Sequence, residues 1–205
     1  MSIRDITLMG HPALMTPAAP VDDPLSEATT SLIEDMFDTM FAIGGVGIAA
    51  PQIGVSQRVI ICLMRERKFS QPPERDDFTV FINPTLTPVD TEMVEGWEGC
   101  LSLPGMQGKV PRYKQIQYTA TATDGSTLSG RAVGFPAVVL QHEADHLDGI
   151  LYPMRMTDMS TLQYHDPVRR LTGRASMATS MEQEIDNELA QATDDDNREQ
   201  EPPLS

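Results

Sequence analysis

The segment 137–148, AVVLQHEADHLD, constrains this chain more than any other. Phe135-Pro136 before it and Gly149 after it are the residues that suit the first turn of a helix and the position just past its end. Wound as a helix, His142-Glu143-Ala144-Asp145-His146 puts two imidazoles at i and i+4 on one face, close enough to share a metal ion, with Glu143 beside them as a base. With only 4 His in 205 residues, an accidental H-E-x-x-H is expected about 0.005 times, so coincidence is the weaker explanation. The structural alternative is a pair of core histidines matched to nearby carboxylates.

A catalytic site of this type takes three protein ligands and keeps one position open, so two histidines require a third partner. Cys100 is the leading candidate: in Glu98-Gly99-Cys100-Leu101-Ser102 a glycine lets the backbone approach closely, and a thiolate binds Zn²⁺ or Fe²⁺ strongly. Cys62 lies inside the apolar run Val59-Ile60-Ile61-Cys62-Leu63 and reads as a small core residue of a buried strand. His11 and His165 have no ligand-like neighbours at helical spacing and read as surface or loop residues.

Around this helix the chain predicts one α+β domain. In 26–41, Leu32, Ile33, Met36, Phe37, Met40 and Phe41 recur at the three- and four-residue steps of one buried helical face, and Gly44 and Gly45 end it. Short runs rich in β-branched and aromatic residues predict strands at 58–63, 78–83, 115–123 and 127–133, with a hairpin at Asp124-Gly125. Beyond Arg174 the chain turns polar and acidic, with Asp194-Asp195-Asp196 near its end. We therefore expect a catalytic domain over 1–174 and an acidic extension over 175–205, partly helical within 177–190 and disordered at its end.

The formal net charge of -15 argues against direct binding of DNA or RNA, whose phosphates select Lys and Arg. No apolar run reaches the ~18–20 residues that span a bilayer, and the first residues lack the layout of a secretion signal. Two cysteines, both expected as free thiols, fit a reduced, cytoplasmic setting.

Gly45-Val46-Gly47-Ile48-Ala49-Ala50-Pro51-Gln52 is by itself a glycine-rich turn with one amide side chain. Taken with EGCLS and QHEADH, in this order, it resembles the peptide deformylases, as do Met9-Gly10-His11-Pro12-Ala13-Leu14 and Asp148-Gly149-Ile150-Leu151-Tyr152-Pro153. The resemblance covers about residues 5–160. It implies mostly antiparallel strands around a central metal-binding helix, with an N-terminal helix and a variable C-terminal segment. It also implies removal of the formyl group from the N-terminal formyl-methionine of newly made proteins, with formyl-methionyl nascent polypeptides as partners.

The same resemblance assigns roles by position. Cys100, His142 and His146 hold the metal, which lowers the pKa of a bound water. Fe²⁺ is the expected ion, with Zn²⁺, Ni²⁺ or Co²⁺ as substitutes. Glu143 is the general base, and the Gln52 side-chain amide with the Leu101 N–H receives the charge that develops on the formyl oxygen. Gly47 allows close approach of the substrate backbone, Val46, Trp97, Val138 and Val139 wall the methionine side chain, and Glu98 pairs with Arg112 behind the metal.

Two departures stand out. Gln107 occupies a position where many relatives have arginine near the peptide path, and the acidic tail differs from the basic ribosome-docking helix of some bacterial relatives. Two other readings remain open on the residues: a zinc peptidase, since H-E-x-x-H is shared with enzymes that cut internal peptide bonds, and a metal-dependent protein that binds formylated or nascent peptides without turnover.

Overall fold

The computed structural model describes residues 2–64 and 72–165. The expected extension over 175–205, its helical part and its acidic end lie outside the described residues.

Helix α1 (Glu27–Ile43) begins where Ser26 accepts a hydrogen bond from the Thr29 N–H and ends at Gly44, whose φ of 71° is the left-handed closing conformation. Leu32, Ile33, Met36, Phe37 and Met40 are buried on one face, as the spacing predicts. Phe41 differs: it is 40 % exposed and stays at the rim, with its ring 6.0 Å from Phe37 and 5.4 Å from Phe78.

The strands form two antiparallel sheets. The larger runs β1 (Gly47–Ala49), β2 (Val59–Leu63), β3 (Phe78–Pro88), then, after two strands of the other sheet, β6 (Gln115–Thr121) and β7 (Thr127–Val133), in the order β1-β2-β3-β6-β7. The smaller holds β4 (Met93–Cys100), β5 (Leu103–Tyr113) and the short β8 (Gln163–Tyr164). All four predicted strands are present, and the β6–β7 hairpin closes at Asp124-Gly125, where Gly125 has φ 81°. Cys62 is fully buried at the centre of the larger sheet, where burial pushes its thiol well above the ordinary cysteine range.

The strands β4 and β5 were not predicted. MVEGWEGC and LPGMQGKVPRY mix glycine, proline and charge instead of alternating apolar with polar residues, because their buried positions hold Glu98, Gly108 and Arg112 beside Cys100, Leu103 and Val110.

Helix α2 (Phe135–Leu147) touches β1, β2, β3, β5 and β7, so it lies against both sheets. It begins at Gly134, with Pro136 in its first turn. Gly149 lets the chain leave it at φ 72°, and a Cβ there would come within 2.9 Å of the Met15 and Thr16 backbone. Among the described residues no helix is long and apolar enough to cross a membrane.

Candidate metal centre and active site

Cys100 ends β4, and His142 and His146, at i and i+4, lie on one face of α2. One ligand atom from each of the three buried residues falls within 4.8 Å of the others, and Cys100 Sγ lies 3.3 Å from His146 Nε2. A tetrahedral ion with metal–sulfur and metal–nitrogen bonds near 2.3 and 2.0 Å sets its ligand atoms about 3.5 Å apart, so the cluster fits one ion. A thiolate with two imidazoles is a donor set for a borderline-soft divalent ion, not for Mg²⁺ or Ca²⁺.

The ring of His142 is held from behind. Its Nδ1 is 2.8 Å from Glu98 Oε2, and since an ionised carboxylate only accepts, Nδ1 carries the proton and Nε2 is left for the ion. Burial resists a second proton on this ring, but Cys100 and Glu98 raise its proton affinity well above the usual histidine range. A divalent ion held at Nε2 would take the place of that proton. Burial pushes His146 the other way, well below the ordinary value, and keeps it in the neutral form that binds metal.

Glu98 in turn accepts from Arg112 twice, from Nε at 2.7 Å and from Nη2 at 2.9 Å, so the expected Glu98–Arg112 pair is formed. Burial works to raise the Glu98 carboxyl, yet Arg112 and His142 hold it down to about 2.

Glu143 is 5 % exposed, and its Oε2 has no hydrogen-bond partner among the described residues. Burial pushes its carboxyl up to about 7, the range in which a carboxylate both takes and returns a proton at neutral pH. Gly47 explains how the chain makes room for it: a Cβ on Gly47 would stand 2.6 Å from Glu143 Oε1.

Gln52 is buried in the single helical turn Ala50–Ile53 that follows β1. The Ala49 N–H donates to its Oε1 at 2.8 Å, which fixes the amide so that Nε2 points at Cys100 Sγ, 3.6 Å away. Leu101 opens the turn between β4 and β5, next in sequence to Cys100.

Of the expected methionine walls, Val138 and Val139 are buried on α2 one turn before His142 and Glu143. Val46 and Trp97 are half-buried against the same core. Trp97 alternates with Glu98 along β4 and so faces the opposite side of that strand, under the Lys109 ammonium at 5.7 Å. His11 is exposed and caps a short helical turn, while His165 is half-buried with Nδ1 2.9 Å from Gln107 Oε1; neither belongs to the cluster.

Sequence reasoning missed the parts played by Asp145, Arg155 and Tyr152. Asp145 was passed over as an unspecified position of the motif, yet it is buried and accepts from both Arg112 and Arg155. Tyr152, buried with its hydroxyl unpartnered, sets its ring parallel to that of His142 at 6.4 Å. Once Asp145 is seen to be buried its need for a cationic partner follows, but no local sequence pattern shows that burial.

The family model described as polypeptide deformylase matches residues 3–161. The chain belongs to the polypeptide deformylase family. It is 46 % identical over 164 residues to peptide deformylase 1 of Nitrosomonas europaea, covering 80 % of this chain and 93 % of that one. Against peptide deformylase 2 of Ralstonia nicotianae the identity is 48 % over 159 residues, with 77 % and 89 % covered.

Among solved structures, a class I type b peptide deformylase from Acinetobacter baumannii with Met-Ala-Ser bound is 36 % identical at a TM-score of 0.69, covering 76 % of this chain and 99 % of that one. Peptide deformylase from Thermotoga maritima aligns at the same TM-score of 0.69 and 33 % identity, with 77 % and 100 % covered. The expected α+β fold is thereby established. The protein is a metal-dependent hydrolase of protein biosynthesis that deformylates N-formylmethionine peptides.

Proposed function

We propose that this deformylase works through a division of labour among eleven residues. Cys100, His142 and His146 hold one divalent ion, Fe²⁺ in the cell, with Zn²⁺, Ni²⁺ and Co²⁺ able to replace it. The bound ion supplies Lewis acidity and lowers the pKa of a water. Glu143 takes a proton from the attacking water as its oxygen adds to the formyl carbon. As the C–N bond breaks, Glu143 returns that proton to the departing amine and formate leaves.

Gln52 Nε2 and the Leu101 N–H stabilise the negative charge developing on the formyl oxygen, an arrangement worth roughly 3–4 kcal/mol per donor in comparable sites. Gly47 admits the substrate backbone, and Val46, Trp97, Val138 and Val139 take the methionine side chain. Since β1 and β4 are edge strands of their sheets, each has backbone groups to offer an extended peptide. The Met-Ala-Ser held by the Acinetobacter baumannii relative supports a methionyl peptide as the ligand of this cleft.

The observation that carries this reading is the Gln52 amide 3.6 Å from Cys100 Sγ. The Ala49 N–H holds the Gln52 amide in place beside the cluster, so Nε2 is a fixed donor within reach of an oxygen that carries developing charge at the ion. Replacing Gln52 with Ala should lower kcat about 100-fold at unchanged metal content. Wild-type turnover by that variant would sink the assignment.

We further assign the catalytic domain to 1–174 and read 175–205 as an appendage without a role in turnover, so deleting 194–205 leaves peptide deformylation unchanged. Its acidic residues do not suit ribosomal RNA, so contact with the ribosome does not run through this tail. The net charge of -15 likewise supports no direct DNA binding, and the free thiols of Cys62 and Cys100 fit a cytoplasmic protein.

A further inference from the structure

The ion-pair chain behind His142 does not stop at Arg112. Arg112 Nη1 donates at 2.6 Å to Asp145 Oδ2, and Asp145 is gripped from its other side by Arg155, with Nη2 2.7 Å from Oδ1 and Nε 3.1 Å from Oδ2. Asp145 sits three residues after His142 on α2, so the path from His142 through Glu98, Arg112 and Asp145 closes on the helical turn where it began.

We propose that Arg155 is a positioning residue for the metal ligand His142, acting through Asp145, Arg112 and Glu98. The argument is one of charge and geometry. Glu98 and Asp145 are two buried carboxylates, and among the described residues Arg112 is the one guanidinium buried with them. Arg155 supplies the second positive charge and does so as a two-pronged donor, the geometry that fixes a carboxylate most firmly.

Without Arg155 the buried group carries an excess negative charge, and Asp145 draws Arg112 towards itself. Glu98 then loses its Arg112 contacts and no longer fixes the His142 ring. The turn Tyr152–Met154 that precedes Arg155 also presents the Tyr152 ring to His142, so one short segment steadies that ligand from two directions.

Arg155 is also accessible to test, because its side chain is 46 % exposed and its removal leaves no cavity in the core. A matched control exists at the same end of α2. Arg58 Nη1 pairs with Asp148 Oδ1 at 2.7 Å and donates to the Leu147 carbonyl at 3.2 Å, and among the described residues no side-chain hydrogen bond links that pair to Glu98 or His142.

The inference rests on the reading of His142 as a metal ligand. The test uses the full chain loaded with Ni²⁺, mixed with excess chelator, with the metal remaining on the protein measured over time. Arg155→Ala should lose Ni²⁺ about 10-fold faster than wild type, the size of effect typical for a partner behind a metal-bound histidine. Arg155→Lys should fall between them, since an ammonium restores the charge but not the two-pronged geometry. Arg58→Ala should match wild type.

In the Zn²⁺-loaded protein the His142 ring N–H proton should exchange with solvent faster in Arg155→Ala, a change that general loosening of the surface would not single out. Release from Arg155→Ala at the wild-type rate would overturn the proposal, as would equal acceleration in Arg58→Ala. Failure of the wild-type chain to retain one Ni²⁺ would overturn the ligand reading together with it.

Discussion

Replacing Glu98 with Ala should destabilise the metal-free protein by about 3 kcal/mol and weaken metal binding about 10–100-fold. The magnitude follows from two independent routes. Glu98 and Arg112 are 1 % and 4 % exposed, and loss of the carboxylate strips Arg112 of two of its three hydrogen bonds while leaving the Nδ1 proton of His142 without its acceptor. Breaking a buried pair on one side costs roughly 3–5 kcal/mol, because the surviving charge stays desolvated. Separately, a carboxyl held down to about 2 from its ordinary 4.5 corresponds to about 3 kcal/mol of stabilisation at neutral pH.

The assay is urea unfolding of wild type and variant from pH 7 downwards, with thermal melting alongside. The midpoint should fall by roughly 10 °C for a chain of this size. The sign is fixed by the direction of the shift. A depressed carboxyl contributes stability above its unfolded value of 4.5, and that contribution drains away as the pH falls towards about 2. The gap between the two proteins should therefore be constant near neutrality and narrow below pH 4.5. A loss under about 1 kcal/mol at pH 7, or a gap that does not narrow in acid, would refute the reasoning.

Other outcomes follow from the same geometry. Burial pushes Glu143 up to about 7, so its ionisation opposes folding: the metal-free protein loses stability as pH rises from 4.5 through about 7. Glu143→Gln should remove that slope while keeping metal and losing turnover roughly 100-fold or more, and normal turnover would end its role as base. Gly47→Ala places a Cβ 2.6 Å from Glu143 Oε1 and forces the carboxylate aside, so kcat should drop about 100-fold with metal retained; unchanged kcat would show that the carboxylate position is not critical. Cys100→Ala removes the sulfur ligand, and metal analysis should find the site empty at stoichiometric metal; full occupancy would exclude Cys100 as a ligand.

The legible parts of the molecule were those where local pattern and tertiary structure agree. Ser26, the apolar spacing of α1 and Gly44 mark one helix, and Pro136, the ligand spacing and Gly149 mark the other. β2, β6 and β7 follow their β-branched content, and Asp124-Gly125 marks their hairpin. The cluster of Cys100, His142 and His146 was legible because only one H-E-x-x-H and one glycine-flanked thiol were available.

β4 and β5 were not, since Glu98, Gly108 and Arg112 among their buried positions interrupt the apolar alternation by which strands are recognised. Asp145 and Arg155 escaped for a related reason. Their meaning depends on Arg112, 33 and 43 residues away in sequence, and no local pattern carries a contact of that range.

The most direct test of the central claim is formate release from formyl-Met-Ala-Ser by the purified chain loaded with Fe²⁺ in the absence of oxygen, or with Ni²⁺. The site described predicts formate in step with free Met-Ala-Ser, no cleavage of the internal amide bonds, and loss of both products after chelation. Absence of formate under either metal, or cleavage between Met and Ala, would contradict it.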